Sequence, residues 1–421
     1  MDYERLKEAF LQGEEREAAQ MFREMMRGAV RAGLLEAMKE EVDAICGPRY
    51  RPKPESPLRR AGSEKGVAYV DGSKEEIIRP RVREKNGKEV RLATYEAASS
   101  PQGLFDQIVA AVAQGLPVRG CARAMNKAVS KSEISRMWVE KSREQLEALR
   151  ARPLGSIEWI ALVVDGVWLS KELCVVVAIG IESNGSKWVL DFEEGPSENA
   201  TVVSSLLERI KARGFAPAAG RGLLVLRDGS EAIESAVRRH WPQSVRQECL
   251  VHAHSNLREK VRMRDRAEVD GLFKNLRESQ GKEAGEEAFN DLVDFVSERN
   301  AAAALALNKR REALLAFHRL DVPSTLNVTF LSTNLIENAL RNWRAASGNV
   351  KRWNEKKDMV SRWMAAGLLW AEAGFQKVRH AEDLPKLALA LELSAMDSAA
   401  IAASPSAPSS NAMKCDLAQC L

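Results

Sequence analysis

Apolar runs separated by short polar turns organise the middle of the chain. Three such runs cover residues 159–168, 173–181 and 186–193. The turns between them are short enough for hairpins, which predicts three neighbouring antiparallel strands. A helical pattern follows over residues 199–213. The next apolar run ends just before Asp228, and the helix before it makes this fourth strand parallel to the first.

The pattern continues with a helix, a short strand and a long helical region. Residues 230–240 have helical spacing, Trp241 and Pro242 then break the helix, and a short run leads into Cys249. Residues 263–331 are rich in Ala, Glu, Lys and Leu and are predicted as an all-helical insertion. Further helices are expected over residues 332–380. The middle of the chain is therefore predicted to be α/β, with a mixed sheet built over residues 153–262.

The N-terminal third has weaker patterns. Residues 1–47 are predicted as a helical segment that ends at Gly47 and Pro48. Residues 48–100 are rich in Pro, Gly, Arg and Lys and fit a basic linker or a small β element. At the other end, residues 394–421 are rich in Ala, Ser and Pro, which predicts a disordered tail.

Residues 101–152 have the order of a helix-turn-helix region. A helix, a turn containing glycine, a short helix, a second turn and a long helix follow one another. An ordinary helical bundle fits this order equally well. If the long helix reads DNA, its early polar residues Lys131, Ser135 and Arg136 face the major groove. The apolar face behind them then consists of three residues: Ile134, Met137 and Trp138.

Composition and charge narrow the class of protein. The chain has 421 residues, enough for two or three domains, with 45% hydrophobic and 29% charged residues, as in globular proteins. Its net charge of +4 is unevenly spread, since Lys and Arg outnumber Asp and Glu over residues 49–91 and 338–363. Such local excesses suit a polyanionic partner, although many charge runs are simply solvated faces.

The cysteines and apolar segments indicate the compartment. Six cysteines lie scattered without a CxxC pair, which favours a reducing environment over a disulfide framework. The N-terminus lacks the basic start and apolar stretch of a signal peptide. The longest apolar region, residues 159–181, is interrupted by charged residues, so no membrane span is expected. These features predict a cytoplasmic protein.

Three acidic residues stand out as candidates for chemistry. Asp165 and Asp228 each come at the end of an apolar strand and each precede a glycine, while Glu337 lies early in a late helix. Ligands of open α/β sheets bind at the carboxyl ends of strands. Two of the acids also have a structural interpretation, because Asp228 could cap the next helix and the helix dipole favours Glu337 in a first turn. If the three converge, they suit Mg²⁺ or Mn²⁺, with two ions cleaving a phosphodiester.

Further residues surround these candidates. Glu337 shares a polar helical stripe with Arg341 and Arg344, which suits a scissile phosphate. Cys249 and His252 lack the further ligands of a zinc site, so packing or hydrogen bonding beside the acids is the expected role. Core packing is the expected role of most C-terminal tryptophans. The best candidate for stacking on DNA bases is Trp353, which follows two basic residues, Lys351 and Arg352.

The order of these motifs resembles the Mutator-like transposases of the insertion-sequence-256 group. Four stretches carry the resemblance, which extends over most of the chain up to about residue 375: VDGVW at 164–168, RDGSEAI at 227–233, QECLVH at 247–252 and STNLIEN at 332–338. Residues 339–347 lack the Arg-Thr-Lys run expected of close members, which puts some DNA contacts in doubt. The tail after residue 394 matches nothing known in the family.

The resemblance implies a ribonuclease-H-like catalytic domain, interrupted by an all-helical insertion and preceded by DNA-binding segments. By position, Asp165, Asp228 and Glu337 correspond to the catalytic, metal-binding acids, and Cys249 and His252 to the family's Cys/His pair. The implied partners are double-stranded DNA, as transposon ends and target, and further copies of the chain in a homodimer or higher oligomer on DNA. The implied location is the nucleoid.

Three functional hypotheses follow. The first is a DNA transposase that binds element ends and catalyses metal-dependent strand cleavage and strand transfer. The second is a catalytically inactive DNA-binding regulator derived from a transposase, which the presence of all three acids disfavours. The third is a ribonuclease-H-like nuclease that cuts DNA without joining it to a target.

Overall fold

The computed structural model describes residues 15–403, except 71–72, 100–110, 113–115, 118–119, 122–129, 171–172, 196–198, 219, 348–352 and 354–357. Two compact units divide the chain. The first contains residues 1–146 and 343–366, and the second contains residues 147–342 and 367–421. Three helices cross the boundary between them: α3 (Lys131–Ala151), α12 (Asn334–Ser347) and α13 (Met359–Ala373).

The first unit contains a small antiparallel sheet packed on a long helix. Its elements are α1 (Glu15–Cys46), β1 (Leu58–Val70), β2 (Ser73–Glu84), β3 (Glu89–Val90) and α2 (Ala93–Ser99). The strands pair in the order β1-β2-β3. Met38 and Val42 of α1 pack with Ala68, Ile77 and Val82 of the sheet. Of the two interpretations of residues 48–100, the structure therefore has the β element rather than the linker.

The helix α3 presents the two faces predicted for it. Ile134, Met137 and Trp138 are buried, while Lys131, Ser135 and Arg136 are exposed. Most of the residues that would form the preceding helices of a helix-turn-helix, 100–110 and 122–129, lie outside the described part of the chain. The helix-turn-helix itself therefore stays a prediction.

The second unit is built on a five-stranded mixed sheet in the order β6-β5-β4-β7-β8. β4, β5 and β6 form the predicted antiparallel meander, whereas β7 and β8 run parallel to β4. The helix α4 crosses over between β6 and β7, and α5 between β7 and β8. These elements are β4 (Trp159–Trp168), β5 (Cys174–Glu182), β6 (Lys187–Gly195), α4 (Ala200–Ala212), β7 (Leu224–Arg227), α5 (Glu231–His240) and β8 (Val245–Glu248).

The core between the sheet and the helices α4 and α5 explains the long apolar runs. Val164 and Val225 of the central strands pack with Leu207 of α4 and Val237 of α5. Gly180 leaves room for the ring of Trp159, because a Cβ at residue 180 would lie 2.5 Å from that ring. Strands buried on their faces need continuous apolar sequence, and this is the pattern that predicted them.

Helices occupy the region after β8, as predicted for the insertion. The helix α6 (Leu250–Arg258) follows Cys249 directly. The insertion then contains α7 (Arg266–Glu278), α8 (Gly281–Ser297), α9 (Ala301–Lys309), α10 (Arg311–Leu314) and α11 (Asn327–Phe330), with 3₁₀ turns at Met263–Asp265, His318–Leu320 and Ser324–Leu326.

The chain ends in helices, and one of them corrects the prediction for the tail. After α12 come α13 (Met359–Ala373), a 3₁₀ turn (Ala381–Asp383) and α14 (Leu384–Ala403). The expected disorder from residue 394 is wrong for its first ten residues, since α14 runs to Ala403. Leu384, Leu387 and Leu391 anchor this helix because they are fully buried or nearly so. Residues 404–421 lie outside the described chain.

Candidate active site

Two parallel strands place Asp165 and Asp228 side by side. In the register of β4 and β7, Val164 lies opposite Arg227, so the next residue of each chain segment is an aspartate. Asp165 is only 3% exposed, whereas Asp228 is half-buried. β4 continues past Asp165 to Trp168 by pairing with β5, while β7 ends at Arg227. The register of β4 and β7 therefore brings the two acids together, with Asp165 inside β4 rather than at the end of a strand as predicted.

Negative charge accumulates around Asp165. Burial raises the pKa of this carboxyl, and the nearby carboxylates of Asp228 and Glu337 raise it further, against the opposing effect of His252 and a hydrogen bond from Thr333. The resulting pKa is about 7. Because Asp228 and Glu337 both act on Asp165, the structure gathers all three predicted acids into one electrostatic site.

Asp228 also stabilises the start of the next helix. Its Oδ1 atom accepts a hydrogen bond from the backbone N–H of Ser230 at 2.9 Å. The N-cap residue of α5 is Ser230, whose Oγ accepts from the backbone N–H of Ile233. The capping interpretation of Asp228 is therefore correct in part. Only one of its carboxylate oxygens is used in this way, and the side chain still lies within electrostatic reach of Asp165.

Glu337 reaches the site from α12 through a contact with His252. Its Oε1 atom lies 3.3 Å from Nε2 of His252, and its side chain is 46% exposed. A hydrogen bond with Cys249 and the charges of Asp165 and Glu337 raise the pKa of His252 to about 9, although burial lowers it. A positively charged imidazolium therefore lies between two of the three acids.

Thr333 connects the same groups and was not singled out from the sequence. Its hydroxyl donates a hydrogen bond to Asp165 and lies 3.4 Å from Nδ1 of His252. Its backbone N–H donates to the Sγ atom of Cys249 at 3.3 Å. Burial raises the pKa of the Cys249 thiol, but hydrogen bonds with His252 and Thr333 outweigh burial and lower it. The only signal in the sequence was the position of Thr333 in the STN stretch before α12.

The Cys/His pair therefore supports the acids and has no zinc-like surroundings. The Nε2 atom of His254, the next histidine along the chain, lies 2.7 Å from Oδ1 of Asp270, and the ring of His254 stacks on Phe273. Within the described residues, no group of three or more His, Cys, Asp and Glu side chains is arranged closely enough to hold a metal ion. The described residues include Asp165, Asp228 and Glu337. Their carboxylates therefore lie near one another without forming a ready-made ligand set.

The chemistry of the donor set nevertheless fits a hard divalent cation. Carboxylate oxygens are the ligands that Mg²⁺ and Mn²⁺ prefer. A buried carboxyl with a pKa near 7 beside two further acids indicates a shortage of positive charge, which His252 compensates only in part. A cation would supply the missing charge. The residues that would hold it are Asp165, Asp228 and Glu337.

The other predicted residues lie as follows. Ile336, Leu340 and Trp343 form the buried stripe of α12, and Arg341 and Arg344 are exposed beside Glu337 on the polar stripe. Trp353 is half-buried, stacks on Trp343 at 5.6 Å and meets Trp363 edge to face. It is therefore packed among tryptophans rather than free on the surface. The two residues before it, Lys351 and Arg352, lie outside the described chain.

Comparisons with known proteins agree with this arrangement of motifs. The sequence model of the Mutator family of transposases matches residues 1–366. The transposase for insertion sequence element IS1201 of Lactobacillus helveticus is 27% identical over 75% of this chain and 86% of its own length. The transposase for IS905 of Lactococcus lactis is 30% identical over 47% of this chain and 48% of its own length. The transposase for IS256 in transposon Tn4001 of Staphylococcus aureus is 23% identical over 55% of this chain and 61% of its own length.

A mixed sheet with acids at adjacent strand ends, joined by a glutamate from a later helix, thus occurs in a chain whose relatives are insertion-sequence transposases. The chain belongs to the Mutator family of transposases. None of the helices in the described ranges is long and apolar enough to cross a membrane.

Proposed function

We propose that this protein is the DNA transposase of an insertion sequence, which binds the element ends and catalyses metal-dependent strand cleavage and strand transfer. The observation that carries the proposal is the approach of Asp228 and Glu337 to the buried Asp165, although 63 and 109 residues separate these acids along the chain. Structural capping does not require three distant acids to share one site.

The topology of the second unit supports a ribonuclease-H-like core. An antiparallel meander, a crossover helix and two further strands parallel to the first give the sheet order β6-β5-β4-β7-β8. The insertion then separates this sheet from α12, which carries the third acid. This is the order of elements that the resemblance to Mutator-like transposases implied.

The proposed roles follow from the contacts of each side chain. Asp165, Asp228 and Glu337 hold Mg²⁺ or Mn²⁺, with two ions in the complete site. When bound, such ions activate the attacking oxygen of a phosphodiester exchange and stabilise the leaving oxygen. His252 orients Glu337, Thr333 orients Asp165 and His252, and Cys249 fixes the backbone of Thr333. Arg341 and Arg344, on the same helix as Glu337, face the phosphate.

Recognition of the element ends is assigned to other surfaces. Lys131, Ser135 and Arg136 form an exposed polar face over a buried apolar one, which is the arrangement of a DNA-reading helix. Trp353 and its two basic neighbours remain candidates for DNA contact. Because two element ends must be brought together, a homodimer or higher oligomer on nucleoid DNA is part of the proposal.

The decisive test replaces Asp228 by Asn, which keeps size and shape and removes the charge. Cleavage and strand transfer of DNA carrying the element ends should fall below detection with Mg²⁺ or Mn²⁺, while binding to the ends is retained or slightly tighter. Wild-type protein that binds ends and never cuts supports an inactive regulator instead. Cleavage without joining supports a nuclease. Cleavage unaffected by Asp228→Asn contradicts the assignment of the site.

A further inference from the structure

A second charged feature lies beside the acid site, in the second unit. It is a cleft of about 780 Å³ between the ends of β7 and β8, the helices α9 and α10, and the C-terminal helix α14. Six cationic side chains line it and define what we call the arginine cleft: Arg227, Arg238, Arg246, Lys309, Arg310 and Arg319. Four glutamates share the lining, so cations are in excess.

Two buried carboxylates, Glu234 and Glu248, pair with four of these cations. Glu234 has a side chain that is only 10% exposed and contacts three guanidinium groups, those of Arg227 at 2.8 Å, Arg238 at 2.8 Å and Arg246 at 3.1 Å. Three guanidinium groups therefore share the single negative charge of this carboxylate. Some of the other N–H donors of Arg227 and Arg246 bond to backbone carbonyls, which carry no net charge. The glutamate therefore organises the arginines without neutralising them.

Arg310 joins the arginine cleft to the acid site. It pairs with the buried Glu248, and its Nη2 atom lies 2.7 Å from the position that a Cβ of Gly229 would occupy. Burial and the neighbouring Arg227 lower the pKa of Arg310, while Asp228 opposes them, so the guanidinium lies within electrostatic reach of that acid. A Cβ at residue 229 would require the end of the Arg310 side chain to shift, so the glycine allows this close approach. The insertion thus places a cation next to Asp228.

The lining also indicates what the cleft does not recognise. Among the described residues that line it there is no aromatic ring to stack on a base and no Asn or Gln side chain to read a base edge. Arginine groups fixed by carboxylates match phosphate oxygens in geometry and charge. Lys309 is exposed at the end of α9, and no ion pair in the described part of the chain involves it.

We propose that the arginine cleft binds the sugar-phosphate backbone of the DNA that extends from the acid site, independently of its sequence. The inference rests on the proposed function and adds a role for the helical insertion. Sequence recognition then belongs to other surfaces, such as α3. The cleft holds the duplex next to the carboxylates, whose own charge repels it.

The test removes two exposed cations of the cleft, neither of which belongs to the proposed catalytic machinery. In the double variant Lys309→Ala with Arg238→Ala, affinity for random-sequence duplex DNA should fall about tenfold near physiological salt. The slope of log affinity against log salt should become shallower by about two units, since each phosphate that is no longer neutralised removes roughly 0.9. The reduction in affinity should be equal for A/T-rich and G/C-rich duplexes.

The matched control removes the same number of positive charges from exposed positions outside the cleft. Arg262 and Arg264 are exposed beside the 3₁₀ turn at Met263–Asp265 and do not line the cleft. Arg262→Ala with Arg264→Ala should leave the salt slope unchanged. Thermal unfolding of both double variants checks that each remains folded.

Three results would overturn the inference: an unchanged slope in the cleft variant, equal reductions of affinity in the cleft and control variants, or a reduction confined to one duplex composition. None of them touches the proposed function, because the response of cleavage to Asp228→Asn is measured separately. Wild-type protein that binds no DNA would overturn both.

Discussion

The acid site and the arginine cleft are neighbours at the end of β7, yet their charges are balanced in opposite ways. Around Asp165, carboxylates approach one another, and His252 is the cation that acts on this acid. Around Glu234, three arginines surround one carboxylate. The acid site lacks positive charge and the cleft has an excess of it. A cation would complete the first, and a polyanion would complete the second.

The largest effect is expected on catalysis. Asp165→Asn preserves the hydrogen bond from Thr333 and removes a buried ligand charge, so single-turnover cleavage of end-containing DNA should slow by at least roughly 10³-fold. Binding of the same DNA should not weaken. The corresponding change in the cleft, Lys309→Ala, should weaken binding and spare the chemical step at saturating protein. If the cleavage rate of the Asp165→Asn variant lies within tenfold of the wild-type rate, the acid site and the cleft do not differ in the proposed way.

Loss of a carboxylate should have opposite effects on stability in the two regions. Glu234→Gln leaves the buried Arg227 without its nearest charged partner, since Glu248 lies 4.0 Å away, and should cost about 3 kcal/mol of unfolding free energy. Asp165→Asn relieves repulsion and should stabilise the metal-free protein at neutral pH. Urea unfolding in a chelating buffer measures both variants. Effects of the same sign would show that the two regions are not balanced differently.

The pH dependence of stability should reveal the contribution of the Asp165 carboxyl. Its pKa is 3.8 in the unfolded reference and about 7 in the fold, so the folded chain binds the extra proton between these values. Stability from this group is fully present below about pH 4 and is lost as pH rises to about 7. The melting temperature of wild type should therefore fall by a few degrees relative to Asp165→Asn across this window. His252, with its raised pKa, loses its contribution at higher pH, from about 6.5 to 9.

The smallest effect concerns a surface remote in sequence from both regions. Lys131→Ala with Arg136→Ala on α3 should make the salt slope for binding to element ends shallower by one to two units, about 0.9 for each phosphate left without its cation. Discrimination between element ends and random DNA should also fall, because this helix is proposed to read sequence. The cleft variants should reduce affinity for both DNAs alike. An unchanged salt slope in the α3 variant would favour the interpretation of residues 101–152 as an ordinary helical bundle.

Sequence patterns predicted the second unit well because its strands are buried on both faces. Apolar runs of that kind have few alternative structures, and the short turns and crossover helices then determine direction. The bounds of β4, β5 and β6 differ from the predicted ones by no more than two residues at either end. In residues 48–100 the strands are rich in charge, and pairs such as Arg79 with Glu89 occupy positions where apolar residues would signal a strand. The sheet there could not be distinguished from a linker.

The candidate site was only partly predictable for a related reason. Asp165, Asp228 and Glu337 carry local signals, since each aspartate follows an apolar run and the glutamate lies early in a helix. Thr333 has only its position in the STN stretch, and Arg310 has no such signal. The importance of both comes from contacts with residues far away in the chain. The prediction of a disordered tail was wrong over residues 394–403. The Ala and Ser content suggested disorder, whereas a helix that is anchored by Leu384, Leu387 and Leu391 continues through these residues.

If Asp165, Asp228 and Glu337 share a divalent cation, affinity cleavage by a bound iron ion detects it directly. Fe²⁺ replaces Mg²⁺ in such sites and, with ascorbate and peroxide, cuts the polypeptide backbone nearby. We expect cuts close to residues 165, 228 and 337, suppressed by excess Mg²⁺ and lost in both Asp165→Asn and Asp228→Asn. Cuts elsewhere in the chain, or the same cuts in the two variants, would contradict the claim.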